Sequence, residues 1–188
     1  MIAELVVAAC AALFVTRNWR VHGARARFAP LLQAQALVNA ERIDEALAVL
    51  DGVDTRKLDQ SLLVHWLGLR GYALALGGRN EEALDTLDDL AAIADPDDKL
   101  SQLFLNGSRA IVAIAEARFD EAGELPDCTE RACDDAPNRS EVWWWRARLA
   151  ERRGDDARRK ECLERAAALG DAYYATRARA ALQSVAAT

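Results

Sequence analysis

Gly77-Gly78-Arg79-Asn80-Glu81-Glu82-Ala83-Leu84-Asp85-Thr86-Leu87 joins two apolar-periodic segments through a pair of glycines. Glycine adopts positive φ without steric cost, so the pair marks a place where one helix stops and the chain turns back. An acidic, alanine-containing segment starts at once. The phrase recurs as Glu41-Arg42-Ile43-Asp44-Glu45-Ala46-Leu47, as Ala117-Arg118-Phe119-Asp120-Glu121-Ala122 and, most loosely, as Arg153-Gly154-Asp155-Asp156-Ala157. The alanines 46, 83, 122 and 157 stand 37, 39 and 35 residues apart. Self-similarity at such a period is the mark of a repeat architecture.

The bulk properties agree with a helical chain. Its 188 residues suffice for one domain, or one domain with an appendage, and 52% hydrophobic with 29% charged is a globular composition. Alternation of β-branched and polar residues never runs long enough for a strand. The net charge of −6 is unevenly spread: residues 1–27 carry +3, residues 41–138 carry −13 and residues 139–188 carry +4. An acidic middle argues against nucleic acid as a partner. Cys128 and Cys133 are spaced C-x4-C, and on one helix their Cα atoms stand roughly 8–9 Å apart, beyond disulfide reach. No histidine or second cysteine pair completes a zinc set. With Cys10 and Cys162 they read as small buried thiols of a reducing compartment.

Residues Ile2–Val15 are apolar except Glu4, and Arg17, Arg20, Arg25 and Arg27 follow with Trp19 among them. A cleaved signal peptide would carry its positive charge before the apolar run. A lipoprotein site at Val7-Ala8-Ala9-Cys10 is rejected, because the apolar run continues past the cysteine. A membrane anchor fits the all-round hydrophobicity of Ile2, Leu5, Val6, Leu13 and Phe14, the interfacial Trp19 and the basic flank. Its weakness is length, since about 15 residues rise only roughly 22 Å. The rival is a hydrophobic helix buried in the repeats, in an oligomer or on a partner. The expected organisation is an N-terminal hydrophobic helix over 1–22 acting as anchor, a basic linker over 23–29, and helical repeats over 30–188. For an anchor, the arginine cluster puts the repeats in the cytoplasm.

From Pro30 onward, apolar positions at helical spacing fall into pairs. Leu31, Ala34, Leu37 and Val38 stripe a first helix, and Ile43, Ala46, Leu47 and Leu50 its partner. A second pair runs from about Arg56 to Leu76 and from Gly78 to about Asp95-Pro96. There Gly71 and Ala83 let two antiparallel helices approach closely. A third pair starts near Asp97, and its second helix is expected to break at Pro126, with a remainder at about 127–134. A fourth starts near Ser140 and turns at Gly154. Asp171 caps a last helix with Tyr173, Tyr174, Ala178 and Leu182, placed to cover the open end of the core.

These residues resemble the tetratricopeptide repeat family over about residues 28–170. Leu67, Gly71, Leu74, Gly78, Ala83, Leu87 and Pro96 follow its pattern in the second repeat, and Leu31, Ala34, Leu37, Ile43, Ala46 and Leu50 in the first. The third keeps Ala110, Phe119 and Ala122 and departs at Pro126. The fourth offers Trp143, Ala147, Ala150 and Ala166, with Arg146 and Arg159 off the pattern. The resemblance implies an all-α, right-handed superhelix, an α-solenoid of about four antiparallel helix pairs with a C-terminal capping helix. Its first helices would line a concave groove for a protein or peptide. It implies no catalysis and no cofactor. The succession of hydrophobic segment, arginine-rich flank and repeats also looks like membrane-tethered bacterial adaptors, bound to lipid through the N-terminus and possible subunits of a larger membrane complex.

In the family register Gln35, Asn39, His65, Tyr72, Phe104, Glu141, Trp144, Arg148 and Arg152 face the groove. Trp143-Trp144-Trp145 is the oddest feature among them. Consecutive helical residues point about 100° apart, which puts Trp143 and Trp145 on a broad apolar side with Val142 and Leu149. Trp144 falls opposite, four residues from Arg148, with which it can stack. It is expected either to contact a partner or to pack on the irregular segment after Pro126. No Ser/His/Asp set, phosphate loop or HExxH motif is present. The expected function is a non-enzymatic scaffold at a membrane; the rival is a soluble scaffold.

Overall fold

The computed structural model describes residues 28–123, 136–170 and 173–186. The expected anchor with Ile2, Leu5, Val6, Leu13, Phe14 and Trp19, the break at Pro126, Asp171 and the cysteines 10, 128 and 133 lie outside these residues. The described residues form nine helical segments and no strand, which makes the chain all-α. The helices are α1 (28–39), α2 (Ile43–Asp51), α3 (Gln60–Leu76), α4 (Asn80–Ile93), α5 (Lys99–Ala115), α6 (119–123), α7 (Ala136–Arg153), α8 (Asp156–Ala167) and α9 (Tyr173–Ala186).

The recurring phrase makes the same turn four times. Glu41, Gly78, Ala117 and Gly154 all adopt positive φ, between 59° and 73°. At each, the next residue's N–H donates back to a carbonyl five residues earlier. These bonds run from Arg42 to Leu37, Arg79 to Leu74, Arg118 to Ala113 and Asp155 to Ala150, at 2.8–2.9 Å. They satisfy carbonyls that the end of a helix leaves unpaired. Two of the turns use Glu and Ala where glycine is favoured, a strain of about 1 kcal/mol or more each. The repeated hydrogen bonds hold them there.

Helix starts follow local chemistry. Asp59, Asp98 and Asp155 accept from the backbone N–H groups of Leu62, Ser101 and Arg158 at 2.9–3.0 Å. Each cap contributes about 1 kcal/mol. The helix expected from about Arg56 starts instead at Gln60, because Asp54 caps a separate 3-10 turn over Thr55–Lys57. The helix expected near Ser140 starts earlier, at Ala136, with Pro137 in its first turn, where a missing N–H costs nothing.

Helix α3 packs against α2, α4 and α5, and α7 against α5, α8 and α9. Leu31, Leu50, Leu69, Leu74, Leu87, Leu90, Val112 and Cys162 are wholly enclosed. Burial pushes the Cys162 thiol pKa up, so it stays a thiol. Gly71 does allow close approach, yet the space of its missing Cβ is taken by Leu87 Cδ2 at 2.9 Å, not by Ala83. Gly68 is tighter still: a Cβ there would lie 2.4 Å from the Phe104 ring. Helix α7 is sandwiched, and Trp143, Trp144 and Trp145 are all buried. Trp144, expected on the groove side, lines a cavity there but is buried against Tyr174 and Arg177 of α9. A heptad-scale pattern on one helix does not reveal that a third neighbour, α9, covers its polar side.

Candidate functional site

Two adjoining cavities lie among the odd-numbered helices. The larger, of about 570 Å³, is lined by Val38, Ile111, Ile114, Trp144, Arg148, Arg152 and Arg177, among others. The smaller, of about 230 Å³, is lined by Gln35, Asn39, His65, Tyr72, Phe104 and Glu141, among others. Tyr173 and Tyr174 border both. The nine residues that the sequence register placed on one face are thus gathered here, six around the smaller cavity and three around the larger.

The smaller cavity has aromatic walls. His65 sits between Phe28 and Phe104, with ring centroids 5.8 and 5.7 Å away. Desolvation pushes its pKa down, so the imidazole is neutral at pH 7. Tyr72 meets the edge of Phe104 at 6.5 Å. Gln35 donates to Asn39 at 3.1 Å across one turn of α1, which leaves a pair of amides at the rim. Gly68 positions Phe104, because no larger residue leaves room for its ring.

Glu141 enters from α7 and, among the described residues, is the one carboxylate lining this cavity. Its Oε1 accepts from Trp145 Nε1 at 3.4 Å. No cation pairs with it among the described residues. Burial without a compensating charge pushes its pKa up to about 7.

The larger cavity is cationic by contrast. Arg148 pairs with Glu151 rather than stacking on Trp144. The cation over Trp144 comes from α9: the Arg177 guanidinium lies 4.8 Å from the ring centroid and pairs with Glu41 at 2.7 Å. Tyr174 lies 6.2 Å from both Trp144 and Trp145, and its hydroxyl meets that of Tyr72. Helix α9 therefore reaches α3 and the α1–α2 turn as well as α7 and α8.

Sequence reading missed Tyr173, Tyr174 and Arg177 as lining residues. The available signal was two tyrosines and an arginine within one turn, which fits an end cap equally well. Among the described residues no cluster of three or more His, Cys, Asp or Glu is placed to hold a metal ion. No helix of the described residues is long and apolar enough to cross a membrane. Comparisons with family models, with curated proteins and with solved structures found no match.

Proposed function

We propose that the chain is a non-enzymatic, protein-binding scaffold of the tetratricopeptide type. Its helix pairs stack as a solenoid, and the joined cavities are the groove that receives a segment of a partner protein. One observation carries this reading: α1, α3, α5, α7 and α9 all line the cavities, while the even-numbered helices contribute little beyond Ile43. Side chains from five helices, far apart in the chain, converge on space that the core does not need. A groove of this kind recognises a partner through a few apolar anchors and a polar rim. The tether belongs to the same proposal and rests on the sequence of residues 1–27. An apolar run followed by four arginines would hold the repeats at the cytoplasmic face of a membrane, as an adaptor or an accessory subunit.

Asn39, Arg148 and Arg152 are exposed, so their truncation tests contact without unsettling the core. Affinity recovery from native membranes with the Asn39→Ala, Arg148→Ala, Arg152→Ala variant is expected to lose its partner about tenfold, or about 1.4 kcal/mol. Unchanged recovery by a folded variant would remove the groove from the proposal. Carbonate extraction tests the tether. The full chain is expected to stay with the membrane pellet and a chain starting at Phe28 to be released; release of both would leave a soluble scaffold.

A further inference from the structure

The smaller cavity holds a carboxylate that no cation of the described residues neutralises. Buried ionisable side chains are almost always paired, because desolvating an isolated charge costs several kcal/mol. Glu141 has one long hydrogen bond from Trp145 and no cation among the described residues. Tyr72, Phe104, Tyr174 and His65 line the same cavity. The negative faces of aromatic rings attract a cation, most strongly when water is excluded. A carboxylate among such rings is therefore a receptor for a positively charged group of small cross-section.

We propose that this cavity binds a single alkylammonium group, delivered by the partner protein as a lysine side chain. Two features favour an ammonium over a guanidinium. Trp145 occupies Oε1, and a guanidinium fork works best with both carboxylate oxygens free, whereas an ammonium needs one. The amides of Gln35 and Asn39 at the rim add oxygen acceptors for the remaining N–H groups. The source of the ammonium rests on the scaffold reading above; the pocket itself does not.

The test uses the folded chain and n-butylammonium chloride as probe, with the Trp145 indole N–H resonance as reporter, since that group touches Glu141. Saturable displacement of this resonance is expected. Glu141→Gln, which keeps the shape and an acceptor for Trp145, is expected to weaken binding about tenfold or more. The neutral n-butanol is expected to leave the resonance in place. Equal response to the alcohol, or an unchanged response in Glu141→Gln, would overturn the site. Tighter binding of n-propylguanidinium would overturn the assignment to lysine. Because no partner protein takes part, failure here is separable from failure of the recovery experiment.

Discussion

Trp144→Ala is expected to destabilise the chain by about 3–5 kcal/mol, the range for emptying a buried aromatic site. Trp144 is only 9% exposed. Its ring packs against both Tyr174 and Arg177. Truncation would extend the larger cavity into the space between α7 and α9. Arg177 would lose a cation–π contact of about 1 kcal/mol, and its pairing with the exposed Glu41 would not replace that. Urea unfolding measures the total. Hydrogen exchange locates it: amides of α9 are expected to lose more protection than those of α3, because Trp144 meets α9 through Tyr174 and Arg177. Trp144→Phe keeps a ring under Arg177 and is expected to lose less. A loss below about 1 kcal/mol for the alanine variant would mean that the burial of Trp144 contributes little. A binding experiment with this variant alone would confuse contact with folding, which is why exposed positions serve that purpose better.

Glu141→Gln is expected to act in the opposite direction and only above acidic pH. The carboxyl has an ordinary pKa of 4.5, and burial pushes it up to about 7 in the folded chain. Between those values the folded state keeps a proton that the unfolded state has lost. Its contribution to stability is thus complete below pH 4.5, falls as pH rises toward 7 and is level above that. His65 acts with the opposite sign, since burial lowers its pKa and its contribution recovers as pH rises toward 6.5, but it is common to both proteins and cancels in their difference. Burial pushes the Tyr174 pKa up, away from this range. Glutamine has no charge to bury. The variant is expected to match the parent near pH 4.5 and to exceed it by about 2–3 kcal/mol at pH 8. Urea unfolding of both proteins across that range is the measurement. A gain independent of pH would trace to packing rather than to the charge. Retaining a residue that costs stability at neutral pH is what a binding group does.

The legible parts of this protein are those encoded within a turn or two of helix. Helix pairs were readable because apolar residues recur every three or four positions and because Gly78 and Gly154 end helices by their own conformational freedom. The equivalent turns at Glu41 and Ala117 have no glycine, and only their neighbours' repetition suggested them. Gln35, Asn39, His65, Tyr72 and Phe104 could be placed on one side from helical phase alone, and the structure gathers them around one cavity. Phase also told where Trp144 points. It did not tell what lies there, since that depends on a helix thirty residues further on. The same gap hid Arg177 as the cation over Trp144.

The turn at Gly77–Leu87 and its copies determined by themselves that the chain is all-α, where its helices reverse, and which face of each is apolar. Those properties come from backbone sterics, caps and spacing, which act between residues at most a few positions apart. Only the tertiary structure decided that Tyr174 meets Tyr72 across 102 residues of chain, that three tryptophans are buried together, and that Glu141 shares a cavity with aromatic rings and pairs with no cation among the described residues. Burial and charge pairing are set by whichever distant elements come to rest against a side chain, and no local pattern specifies them.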